Sequence, residues 1–165
     1  MLKKVLLFIL IVIAFKGCTR DDLCPEGTAT TPNLIITFND IITPAARKEV
    51  VGLSIETNYE NSVEVLSIRT TDSIALPLNT NSDTTKYRFI KTTVTATETI
   101  VNIDSIVFIY QRKNDYVNRA CGFKTQFNNL DPILEDEGSE NWIENIITIR
   151  DTVNDENSAH ISILH

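Results

Sequence analysis

The sequence predicts an all-β fold, an antiparallel two-sheet sandwich of about eight strands preceded by a cleaved signal peptide. Two observations carry this. After residue 25, no stretch repeats apolar residues at the 3.6-residue helical spacing over three turns. Instead, short β-branched and aromatic runs recur at regular spacing with turn residues between them, the pattern of a sandwich or barrel. A sandwich is preferred because each of its sheets needs only one buried face.

Residues 25–32, with Gly27, two prolines and several threonines, have no periodicity and read as an extended tether. The first strand is 34–38, with Leu34, Ile36 and Phe38 on one face, stopped by Asn39-Asp40. Residues 41–48 contain Pro44 and read as a crossing loop. The second strand, 51–57, places Val51, Leu53 and Ile55 together. In the third, 63–69, the apolar residues change face after Val65, which predicts a bulge. Ile74, Leu76 and Leu78 alternate around Pro77, and a proline confines a strand to a sheet edge.

The next strand is 85–93, with Tyr87 and Phe89 in phase. Residues 94–102 are threonine-rich and read as further strand. Residues 105–110, apolar on both faces, predict a central, doubly buried strand, followed by a turn at 111–115. In the returning strand, Cys121, Phe123, Thr125 and Phe127 share a face, which would point the Cys121 sulfur and Phe123 at the core. After an acidic loop, 131–141, strands follow at 142–150 and 159–164.

The chain has 165 residues, and its first 17 read as a leader. Lys3-Lys4 precedes an unbroken apolar run from Val5 to Phe15, too short for the roughly 20 apolar residues of a membrane-spanning helix and right for a secretory signal. Gly17-Cys18 resembles a bacterial lipobox, with Lys16 departing from its usual small or apolar residue. The resemblance implies cleavage before Cys18 and acylation of its sulfur. The alternative is an ordinary secreted protein with Cys18 left in the leader. Two or more acyl chains anchor a protein stably. The expected organisation is therefore signal peptide 1–17, tether 18–32 and one sandwich domain 33–165. Thr19-Arg20-Asp21-Asp22 resembles the surface-export signal of Bacteroidota lipoproteins, and also reads as a plain solvated tether.

Three cysteines are an odd number for an exported chain. With Cys18 acylated, Cys24 and Cys121 remain as an even pair in an oxidising compartment, which predicts a Cys24–Cys121 disulfide; two free thiols are the alternative. Loss of Lys3, Lys4 and Lys16 with the leader takes the formal charge from −7 to −10, with 12 cationic and 22 acidic side chains. Phosphate binding needs clustered Lys and Arg, so nucleic acid is not an expected partner. An acidic body is also repelled by an anionic membrane surface.

The residue types that carry chemistry are sparse. His160 and His165 are the two histidines, five apart and so on opposite faces of one strand. Neither His160 with a serine nor His160 with Cys121 forms a recognisable nucleophilic arrangement. Zinc-ligand spacing is missing, and no cofactor is expected. Asp131, Glu135, Asp136 and Glu137 in one loop, and Asp151, Asn154, Asp155 and Glu156 in another, offer oxygen ligands for a hard cation. Neither loop matches the twelve-residue calcium pattern, so solvated acidic loops are the plainer reading. Trp142, beside the first loop, is the one candidate ligand platform, and core packing competes for it.

Cys24-Pro25, Thr31-Pro32 before an apolar strand, Arg119-Ala120-Cys121-Gly122-Phe123, Trp142-Ile143 and His160-Ile161 together resemble an uncharacterised family of Bacteroidota cell-envelope lipoproteins, a domain of unknown function. The resemblance spans nearly the whole mature chain. It implies outer-membrane location and lipidation, and no activity. The expectation is a lipid-anchored envelope protein acting as a non-enzymatic binding or structural module, with an envelope protein or a glycan as partner. The competing expectation is a hydrolase using carboxylates of the 131–141 and 151–157 loops.

Overall fold

The computed structural model describes residues 23–136 and 138–165. Among them nine strands form: β1 (Leu34–Asn39), β2 (Val50–Thr57), β3 (Glu64–Thr71), β4 (Ser73–Leu76), β5 (Thr84–Val94), β6 (Thr99–Asn118), β7 (Gly122–Leu134), β8 (Asn145–Thr148) and β9 (Ile161–Leu164). They make a four-stranded sheet in the order β4-β1-β9-β8 and a five-stranded sheet in the order β3-β2-β5-β6-β7. The fold is all-β, a two-sheet sandwich. One pairing breaks the antiparallel rule, since β9 lies parallel to β1, with Ile36 opposite Ile161 and Phe38 opposite Ile163.

The core is the set of side chains facing inward from both sheets. Leu34, Ile36, Phe38, Ile74, Leu76, Ile161 and Ile163 meet Leu53, Ile55, Tyr87, Phe89, Ile106, Phe108, Tyr110 and Phe127. Period-two alternation does this, since successive strand side chains point to opposite faces. Tyr110 and Tyr87 enter the core because their hydroxyls have acceptors, the main-chain oxygen of Asn79 for Tyr110 and that of Pro77 for Tyr87. β4 is a sheet edge, as Pro77 just beyond it predicts.

Bulges set the phase of several strands. The β2–β3 register slips between Ile55↔Leu66 and Glu56↔Glu64, where the sequence predicts a bulge. A second slip lies between Val50↔Thr71 and Leu53↔Arg69, around Gly52 at φ +69°. It puts Val50 in the core and Val51 outside, so Val51 does not share a face with Leu53 and Ile55. A Cβ at Gly52 would lie 2.1 Å from the Thr92 carbonyl oxygen. Gly52→Ala must therefore move β2 away from β5 and adopt a strained φ. It is expected to cost at least about 2 kcal/mol in denaturant unfolding. β7 carries its own slip beside Asn129, which has φ 54°.

Several elements differ from expectation. Residues 94–102 are not one strand, because Thr95 donates its N–H to the Glu98 carbonyl and turns the chain from β5 into β6. Residues 105–110 are fully buried on one face, while the other runs from buried Ser105 through half-buried Val107 to exposed Ile109. Ile106, Phe108 and Tyr110 point inward and Ile109 outward, so the strand is central in its sheet but not doubly buried along its length. Residues 111–115 are not a turn, since β6 runs on to Asn118. Their polarity reflects a ribbon exposed on both faces. Strand 142–150 shrinks to β8, with Trp142 and Ile143 in the preceding loop.

Candidate functional site

The long β6–β7 hairpin is the most distinctive feature. β5 ends its pairing with β6 at Thr84↔Ile109. Tyr110 and Arg112 still reach the 79–83 loop, through Tyr110 N–H to the Asp83 carbonyl and Arg112 Nε to Asp83 Oδ1 at 2.6 Å. From Lys113 to Asn118 the sheet is β6 and β7 alone. Six strand residues span about 20 Å, so a two-stranded ribbon stands out from the sandwich.

The ribbon is fastened at its tip. Cys24 and Cys121 form a disulfide, with Cα atoms 4.9 Å apart. Further along, Thr125 donates its N–H to Thr31 Oγ1 at 2.9 Å. The segment from Cys24 to Thr31 is therefore strapped along the ribbon and does not hang free. Cys121 is partly exposed, and Phe123 is 68% exposed rather than core-facing. Phe123 instead packs edge-on against Tyr116, its direct cross-strand neighbour, with ring centroids 5.3 Å apart. An open hollow of about 480 Å³ lined by Leu23, Pro25, Asn118, Arg119 and Ala120 lies at this tip.

The second feature is a polar knot at the sandwich edge. Asp104 is fully buried, and its Oδ2 accepts the Ile143 N–H at 2.7 Å. Oδ1 of the same carboxyl is buried without a hydrogen-bond partner among the described residues, and burial raises its pKa against the opposing pull of the Ile143 and Trp142 main chain, the Asn141 side chain and the Lys91 charge. The loop held this way sets Trp142 in the core at 8% exposure, its Nε1–H donating to the Phe89 carbonyl. Trp142 packs against Phe38 and His165, with the Lys91 ammonium 5.4 Å from its ring centroid. It is a packing residue and offers no exposed ligand platform. The sequence held a signal for Asp104, which stands in phase with Ile106, Phe108 and Tyr110 on the inner face.

The third feature ties down the 150–160 segment. Arg150 pairs with Asp155 at 3.2 Å, and its Nη2 lies 2.7 Å from His160 Nε2. The Ile35 N–H donates to His160 Nδ1 at 3.0 Å. The hydrogen bond from Arg150 lowers the Asp155 pKa. Glu156 Oε1 accepts both the main-chain and side-chain N–H of Asn33. Val153 bridges to Phe127 and covers the β7 edge. These acids act as structural ties. Asp131, Glu135 and Asp136 do not come together as a cation site. Among the described residues no group of three or more His, Cys, Asp or Glu could hold a metal ion. Glu137 and Cys18 lie outside the described residues. The hollow nearest the acidic loop, about 450 Å³, is lined by Leu134, Asp136, Gly138, Asn141, Ile143 and Glu144.

Both histidines are buried, and burial lowers their pKa values, with the charge of Arg150 adding to the effect at His160 and those of Lys48 and Lys91 at His165. Above the ordinary value of 6.5 both folded and unfolded rings are neutral. Below it the unfolded chain takes up protons that the fold resists, so stability is lost as pH falls through the lowered folded values. Wild type is expected to melt lower at about pH 5 than at about pH 7.5, and His165→Phe to lose less over that interval.

A family model described as a family of unknown function (DUF6452) matches residues 50–165. The chain belongs to the DUF6452 family. No curated protein and no solved structure matches it. The DUF6452 match takes in Cys121, Asp104 and the ribbon, and begins after β1 and Cys24. β1 nevertheless sits between β4 and β9, so the folded DUF6452 unit includes residues N-terminal to the matched segment. No helix among the described residues is long and apolar enough to cross a membrane.

Proposed function

We propose that this DUF6452 chain is a lipid-anchored cell-envelope protein of the Bacteroidota type, held at the outer membrane through Cys18, and that it acts as a binding or structural module without catalysis. The observation that carries the reading is the cysteine pairing. Cys24 and Cys121 occupy each other, which leaves Cys18 as the single cysteine outside a bridge, directly after Gly17 and an apolar leader. A thiol next to such a leader is the residue that acylation consumes. A disulfide also fits an exported protein.

The non-catalytic part rests on what the acids do. Asp155 and Glu156 are committed to Arg150 and Asn33, and the carboxyl whose pKa burial raises, Asp104, is fully buried and accepts the Ile143 N–H. The partner is an envelope protein or a glycan, met by the polar loops of a rigid scaffold.

Metabolic labelling with a palmitate analogue tests the anchor. Wild type is expected to incorporate label and Cys18→Ala to incorporate none. Equal labelling of the two would end the lipoprotein reading.

A further inference from the structure

We propose that the tip of the β6–β7 ribbon is a bilayer-docking surface, and that Tyr116 and Phe123 insert at the lipid–water interface as a second foothold beside the acylated Cys18. This rests on the anchor reading above and adds how the domain stands on its membrane.

Cys18 precedes Cys24 by six residues, and six extended residues span at most about 20 Å. Cys24 is bonded to Cys121 at the ribbon tip. Acyl chains on Cys18 therefore hold the tip, rather than the sandwich, within that distance of the bilayer. The strap from Cys24 to Thr31 runs back along the ribbon toward the body, so it cannot pay out more length while the disulfide stands.

Tyr116 is 62% exposed and Phe123 68% exposed, opposite each other across the strands and in edge-on contact. Leu23, also exposed, flanks the strap. Neither ring contributes to the core, and their cross-strand contact leaves most of both rings in water. Aromatic rings with one polar end favour the membrane interface. The rest of the fold keeps its Phe and Trp side chains buried.

The mature chain carries a formal −10, which repels it from anionic headgroups. At the tip, Lys113, Arg119 and Lys124 outnumber Asp115 and Glu26, with Lys113 and Asp115 paired at 3.1 Å. Asp21 and Asp22 in the linking segment, offset by Arg20, bring the neighbourhood near neutrality. The tip thus carries little of the molecule's net negative charge, and the acidic body is turned outward.

The test uses full-length, processed protein reconstituted into vesicles of phosphatidylethanolamine with a minority of phosphatidylglycerol, their acyl chains brominated or not. Tyr116→Trp places a fluorophore at the tip, and Val94→Trp places one on the exposed β5–β6 turn at the other end of the sheet. Trp142, being buried, supplies the same background in both. Brominated lipid is expected to quench most of the emission added by Tyr116→Trp and to leave that added by Val94→Trp unchanged. Intact mass, measured on the same samples, reports acylation. Acylated protein with no quenching at Tyr116→Trp overturns the docking surface alone. Protein lacking acyl mass overturns the anchor and the docking with it. A blue shift of the tip fluorophore that grows with protein concentration in detergent, without quenching in vesicles, assigns the aromatic pair to a second copy and overturns the proposal.

Discussion

Cys121→Ser is expected to lower the unfolding free energy by about 4 kcal/mol, the scale the chain-entropy argument gives for a closed loop of this length. The bridge spans 97 residues of sequence, so the unfolded chain regains most of its freedom when it is cut. The native sandwich should survive the change, because both sulfurs lie outside the core formed by residues such as Phe38, Phe89 and Phe108. The denaturant slope should rise as well, since an uncrosslinked unfolded chain exposes more surface. Locally the strap would be held at Thr31 alone, and limited proteolysis should cut within residues 25–30 of the variant and spare wild type. An unchanged midpoint with an unchanged digest would mean the bridge neither limits the unfolded chain nor pins the strap.

Asp104→Ala is expected to cost about 1–3 kcal/mol, because it strands the buried Ile143 N–H, and an orphaned buried donor costs roughly that much. The donor is Ile143, the residue after Trp142, so the damage should spread to the Trp142 ring and its contacts with Phe38 and His165. Near-ultraviolet circular dichroism of the tryptophan would report it. Asp104→Asn keeps an acceptor and should cost less. It also separates charge from hydrogen bonding. Burial raises the Asp104 pKa above 3.8, so as pH rises the unfolded chain gives up its proton first. Stability falls between pH 3.8 and the raised folded value. Asp104→Asn should remove that fall, and a wild-type slope persisting in the variant would assign it to other groups.

The architecture was legible because alternation in short strands is a direct record of a single buried face. Leu34-Ile36-Phe38 and Tyr87-Phe89 could be placed from phase alone, and so could the bulge near Val65. Features that depend on partners far along the chain were not. Gly52 reads as an ordinary strand residue until Thr92 is seen against it. Residues 111–115 look like a turn because a ribbon without a sheet on either side has no apolar face. Phe123 follows the inward phase of Phe127 in sequence, but no second sheet lies over it, so its ring stays outside. Of the site residues, counting cysteines was enough to pair Cys24 with Cys121. Asp104 is hard to single out in the sequence because a carboxylate on a strand ordinarily faces solvent. Its inward phase was the available clue.

The parallel seam between β1 and β9 carries a kinetic consequence. Ile35 and His160, hydrogen-bonded across it, are 125 residues apart, and β9 separates β1 from β8. One sheet of the sandwich stays incomplete until the polypeptide has delivered residues 161–164, while β5, β6 and β7 zip together through nearest-neighbour hairpins and β2 joins them across the 58–83 connection that carries β3 and β4. Folding should be biphasic, with the five-stranded layer appearing early and the four-stranded layer gated by a slow, entropically costly search.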